Sequence, residues 1–195
     1  MSSYLVILGA VLSLTGAGTY IRDTLKGKTQ PNRVTYGMWA LAPLIAAAAE
    51  LAKGVTWAVL PVFMAGFCPF LVLLSSFANR RAYWKLGILD YLSGIFSLVA
   101  LILWIVTRQP DIAIVLAILS DGLAAVPTLA KARSHPESET GIIYALAAVS
   151  AITGLAAVEY WTFAEYAFPA YLLTLNISLS FLIYGARLKS LLAPS

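Results

Sequence analysis

Long apolar stretches alternate with short polar clusters along the whole chain. Seven apolar stretches fall near 4–21, 34–52, 55–77, 86–107, 112–130, 141–158 and 166–186. Each is close to the ~20 residues a helix needs to cross the hydrocarbon core of a bilayer. The polar clusters between them are Arg22 to Arg33, Lys53-Gly54, Asn79 to Lys85, Arg108 to Asp111, Lys131 to Thr140 and Glu159 to Glu165. Membrane strands would alternate apolar and polar residues with a period of two. Runs such as Leu44-Ile45-Ala46-Ala47-Ala48-Ala49 do not alternate, and their alanines favour helix. The pattern predicts an all-α fold, a seven-transmembrane helical bundle.

Composition narrows the class. Of 195 residues, 61% are hydrophobic and 11% charged, against about 25% charged in a soluble domain. A water-soluble fold and a disordered chain are both excluded. The first stretch lacks the basic n-region of a signal peptide, because Met1-Ser2-Ser3 carries no positive side chain. It is read as a helix of the mature protein.

Charge sets the expected orientation. Eleven of the thirteen Lys and Arg residues fall on one side of the seven spans. They are Arg22, Lys26, Lys28, Arg33, Arg80, Arg81, Lys85, Lys131, Arg133, Arg187 and Lys189. Only Lys53 and Arg108 fall on the other. The positive-inside rule then puts the N-terminus out and the C-terminus in. The same rule accounts for the net charge of +4, so no nucleic-acid partner is expected and the lipid bilayer is.

The chain repeats itself. At an offset of 105, Lys26 falls on Lys131, Lys28 on Arg133, Thr29 on Ser134, Pro31 on Pro136 and Thr35 on Thr140. Leu14-Thr15 falls on Leu119-Ser120 and Leu41-Ala42 on Leu146-Ala147. Slightly shorter offsets bring Trp57 onto Trp161 and Pro69 onto Pro169. The expected organisation is a first three-helix repeat over 1–85, a linker transmembrane helix over 86–110, and a second repeat with a short cytoplasmic tail over 111–195. A single linker helix makes the two repeats parallel, a plan known in transporters.

This 3 + 1 + 3 plan resembles the SWEET and PQ-loop superfamily. Pro127-Thr128, followed by Lys131 and Ser134, is similar to that family's proline and basic-serine stretch. The first repeat has Arg22-Asp23 at the proline position. Asn176 and Leu182-Ile183-Tyr184 resemble the family's last helix. The runs Pro31-Asn32-Arg33-Val34-Thr35 and Trp39-Ala40-Leu41-Ala42-Pro43 look like uncharacterised bacterial membrane proteins. The superfamily resemblance implies the seven-helix fold of two three-helix repeats, and the likeness to the bacterial proteins implies a bacterial plasma (inner) membrane and brings no function with it.

Asp121 is the most informative single residue. It lies near the middle of the fifth span, where a carboxylate costs about 2.5–3.5 kcal/mol to insert and usually faces a cavity or the bundle interior. It is a candidate solute or proton site. The plainer reading is a hydrogen bond to Ser120, Asn176 or a backbone carbonyl that holds helices together. Asn176 in the seventh span is a second candidate binding residue, and Trp39 and Tyr144, nearly equivalent in the two repeats, are candidate walls of a central cavity. Pro43, Pro69, Pro127 and Pro169 are candidate hinges, and Pro61 is a fifth proline within a span. Glu50 and Asp90 lie near span ends and are expected to be solvated or paired locally, for example Asp90 with Lys85. Trp57, Trp84, Trp104, Tyr160 and Trp161 are expected in the interfacial aromatic belt.

Other chemistries lack their residues. The seventh span has no lysine for a retinal Schiff base. A single deep carboxylate does not make an aspartyl protease, and no span contains a histidine base. One His135 and a lone Cys68 give no metal site, and no cofactor is expected. The expected function is a non-enzymatic carrier, a uniporter or proton-coupled. The competing expectation is a receptor that docks a partner on its basic cytoplasmic loops.

Overall fold

A computed structural model describes residues 2–52, 59–79, 82, 84–107, 110–156, 161 and 163–192. The described residues form seven α-helices: α1 (Ser2–Leu25), α2 (Arg33–Ala52), α3 (Val59–Ala78), α4 (Ile88–Val106), α5 (Pro110–Ser134), α6 (Ile142–Ala156) and α7 (Phe163–Leu192). A short 3-10 turn, Pro136–Ser138, precedes α6. No strand occurs among the described residues. Five helices (α1, α3, α4, α5 and α7) are long and apolar enough to cross a bilayer, and α6 is a shorter apolar helix. The chain is a helical integral membrane protein. Lys53, Trp57, Arg80, Arg81, Arg108 and Tyr160 lie outside the described residues, as does the Glu50 side chain.

The helix ends follow local chemistry rather than hydropathy. α1 continues past residue 21 to Leu25, carrying Arg22 and Asp23 with it. A cation in the last turn suits the negative end of the helix dipole. Gly27, at φ 71°, closes the helix, with its N–H donating to Thr24 O (2.9 Å) and Lys28 N–H to Asp23 O (2.9 Å). That pair of bonds is the Schellman cap, which favours glycine because a Cβ is strained at positive φ. Gly27→Ala should therefore destabilise the protein by about 1–2 kcal/mol. Thermal unfolding in detergent would read this as a fall of about 2–4 °C per kcal/mol. α2 starts at a different cap. The Asn32 side-chain oxygen accepts from Val34 N–H (3.0 Å) and Thr35 N–H (3.2 Å).

The packing partners define the bundle. α3 lies between α1 and α2, and α7 lies between α5 and α6. α1 packs on α6, and α2 packs on α5, so six helices close a ring. α4 stands against α5 and α2. Its inward face is Asp90, Ser93, Ser97, Ala100 and Leu101, a helical stripe of period 3.6. Its outward face carries Ile95, Phe96, Val99, Ile102 and Ile105, all exposed. Polar groups inside and apolar groups outside are the arrangement lipid demands. Ser97 donates to Ser120 O (2.6 Å) while Ser120 donates back to Ser97 O (2.9 Å).

Small residues set the closest approaches. A Cβ on Gly66 of α3 would lie 2.9 Å from Leu44 N and 3.0 Å from Ala40 O in α2. A Cβ on Gly16 would lie 3.1 Å from Ile143 Cα. Gly18 faces open space. Cys68 is buried and unpaired.

Several expectations change. Asp90 does not pair with Lys85; it is buried, accepting from the Asn32 amide and from Gly87 N–H. A buried carboxylate takes the nearest donors, and those are the caps of α2 and α4. Trp84 packs edge-on to His135, with ring centroids 5.5 Å apart. Pro61 sits in the first turn of α3, where a missing N–H breaks no helical bond. Pro43, Pro69, Pro127 and Pro169 lie inside α2, α3, α5 and α7.

Candidate functional site

Helical spacing brings the aromatic residues together. On α2, Tyr36, Trp39, Ala40 and Ala47 are buried on one face. On α7, Ala167, Leu175, Leu179 and Ile183 form the buried stripe, and Tyr171 falls in the same register. These faces meet α5 along the core. There Tyr171 donates to the Asp121 carboxylate (2.7 Å) and the Trp39 indole donates to the Asp121 carbonyl (3.3 Å). Asp121 has no ion-pair partner among the described residues. It lies about 20 Å along the axis from the C-terminal end of α5.

A second polar cluster lies at that end. The 3-10 turn at Pro136 folds the chain back so that Glu139 enters the bundle. Arg187 of α7 fixes the turn by donating to Glu139 O (2.6 Å) and Pro136 O (3.2 Å). The Glu139 and Lys131 side chains are both 0% exposed and form an ion pair. Glu139 also accepts from Tyr20 (2.7 Å) and Tyr144 (2.9 Å). The Lys131 ammonium donates to Gln30 O and lies 5.1 Å from the centroid of the Trp84 ring. Around this pair, Gln30 N–H donates to Ser138 O (3.0 Å) and Thr140 donates to Asp23 (2.9 Å).

Aromatic rings join the two clusters. Tyr36 stands T-shaped to Trp39 at 5.5 Å and tilted to Tyr20 at 5.5 Å. Its hydroxyl is 3.1 Å from that of Tyr144. The result is a line of polar and aromatic groups, buried from Glu139 to Trp39 and ending at the half-buried Asp121. Comparison with family models, curated proteins and solved structures gives no match.

Of the four candidate binding residues, three belong to this line. Trp39 touches Asp121, and Tyr144 touches Glu139, with Tyr36 between them. Asn176 does not join it. Its amide donates to Leu172 O of its own helix (2.8 Å). Tyr171 rather than Asn176 faces Asp121, and five residues of helix place Asn176 about 7 Å further along the axis. Ser120 is also turned away, toward α4. Tyr20, Tyr36, Tyr171 and Glu139 escaped the sequence reading. For Tyr36 the available signal was its spacing of three from Trp39, and for Tyr20 its place on the face of Gly16 and Ala17.

A cavity of about 40 Å³ lies elsewhere, between α1, α3 and α6, where Ser13, Ser150 and Thr153 line it. Three or more potential metal ligands are nowhere grouped among the described residues. The line from Asp121 to Glu139 can hold protons, donate hydrogen bonds and stabilise positive charge.

Proposed function

We propose that the chain is a membrane carrier for a small polar solute, working by alternating access between two three-helix units. The observation that carries this reading is Asp121. It is a carboxylate near the middle of α5, held among the described residues by one side-chain donor, Tyr171 of α7, at the seam where α2 of one unit meets α5 of the other. An intramembrane acid without a fixed counter-charge is a ligand or proton site by default.

The repeat supports two units that move as bodies. In each, the third helix lies between the first two, in the order α1–α3–α2 and α5–α7–α6. The offset of 105 relates Asp23 to Thr128 and Thr35 to Thr140. Thr140 bonds Asp23 (2.9 Å), and Thr128 bonds Thr35 (3.0 Å). One interface is thus the image of the other, as a pseudo-two-fold axis requires. This is the relation expected from a resemblance to the SWEET and PQ-loop plan, in which parallel repeats rock about a midplane site. Docking of a partner on the basic loops draws less support, because Lys131 is buried rather than displayed.

The test is uptake by proteoliposomes of labelled sugars, amino acids, nucleosides and amines. Asp121→Asn keeps the shape and a hydrogen-bond acceptor for Tyr171 but removes the charge. Uptake of the accepted class should fall to the level of protein-free vesicles, with thermal unfolding unchanged to within about 1 kcal/mol. Equal uptake by the variant, or no class entering above protein-free vesicles, would overturn the reading.

A further inference from the structure

The geometry points to a positively charged solute, a small organic ammonium ion, with Glu139 as its inner binding site and the Lys131 ammonium group as that site's tethered occupant. This rests on the carrier reading and names its substrate class.

The partners of Lys131 make the case. Its ammonium group meets a carboxylate oxygen of Glu139, the Gln30 carbonyl and the face of Trp84. An acid, a carbonyl and an aromatic face are the three surfaces an alkylammonium group needs, one for each N–H. The carboxylate is itself oriented by Tyr20 and Tyr144, both donating to its other oxygen. The site is therefore built before any ligand arrives.

Charge along the line agrees. The seam carries a half-buried carboxylate, Asp121, and the inner end a buried carboxylate, Glu139, whose counter-charge is Lys131 itself. With Lys131 displaced from Glu139, an anion would meet repulsion at each. A sugar needs many paired hydroxyl partners, whereas the rings of Trp39, Tyr36 and Tyr20 offer mainly π-faces. A cation finds an acid at either end and aromatic faces between. Exchange at Glu139 also avoids a bare buried carboxylate, because an incoming ammonium replaces the outgoing one. Lys131 lies in the last turn of α5, and its flexible stem can swing toward the aqueous boundary.

Thermal unfolding of the detergent-purified full chain tests the assignment with methylammonium chloride against sodium chloride at equal ionic strength, glucose, and sodium acetate. Methylammonium at about 100 times its Kd should raise the wild-type midpoint by about 5 °C. The rise should be larger in Lys131→Met, where the site is vacated, and should shrink again when Glu139→Gln is added. Should Lys131→Met fail to fold, Glu139→Gln alone serves, with a smaller rise than wild type expected. No rise beyond sodium chloride in wild type, or equal rises with and without Glu139, overturns the assignment. Stabilisation and uptake of glucose or acetate instead of methylammonium would overturn the cationic class and leave the carrier standing. No probe shifting the midpoint or entering vesicles would remove both.

Discussion

Lys131→Met should lower the unfolding free energy by about 3 kcal/mol, the loss typical of a buried ion pair deprived of one member. Methionine nearly matches the lysine stem in length, so the cavity left is small and the charge is what changes. Glu139 would stay fully buried with two tyrosine donors but no cation. Its desolvation would no longer be offset. Adding Glu139→Gln removes the orphaned charge while an amide oxygen can still accept from Tyr20 and Tyr144. The double variant should recover about half of the loss, giving a coupling energy well above the ~0.3–0.5 kcal/mol error of additive sites. Denaturant titration of the four proteins in the same detergent measures the cycle. A single variant as stable as wild type would mean that the pair contributes no net stability.

Gly66→Val is the second large effect. The position faces the backbone of α2, and even a Cβ would lie 2.9 Å from Leu44 N and 3.0 Å from Ala40 O. Backbone cannot turn aside as a flexible side chain does. α3 and α2 would have to separate at the turn that contains Pro43. Overpacking of this kind costs about 1–3 kcal/mol, and a β-branched side chain should reach the upper end. Gly18→Ala is the matched control. Its Cβ meets nothing within 4 Å, so it should gain about 0.5–1 kcal/mol, the ordinary advantage of alanine over glycine inside a helix. Equal behaviour of the two variants would contradict the close approach of α2 and α3.

Hydropathy made the helices legible because it reports the face turned to lipid. The outer side of α4, from Ile95 to Ile105, is that signal in pure form. Asp121 stood out for the same reason, as a charge where lipid forbids one. Glu139 did not, because a carboxylate among Lys131, Arg133, His135 and Glu137 looks solvated when read along the chain. Its burial depends on α1, α6 and α7 converging from far away in sequence, with Tyr20 119 residues distant. Lys131 misled in the same way, counted by its charge as a displayed loop residue. Asn176 misled differently. Depth along a span does not say which side chain meets a neighbour: Tyr171 reaches Asp121, while the Asn176 amide is taken up by Leu172 O of its own helix. The proposed repeat aligns Thr35 with Thr140, and each of them makes a hydrogen bond, Thr35 with Thr128 and Thr140 with Asp23.

The inward stripe of α4 also bears on how the chain enters the bilayer. Among the described residues Ser97 finds its side-chain partners on Ser120, a residue of the next helix, and those bonds are reciprocal. A nascent chain that has released α4 but not α5 would hold these hydroxyls against lipid. The two helices therefore suit insertion as a pair, leaving the translocation channel together as a hairpin. A ribosome-stalled chain ending before α5 would present an unsealed polar groove, the kind of surface that membrane quality-control proteases inspect.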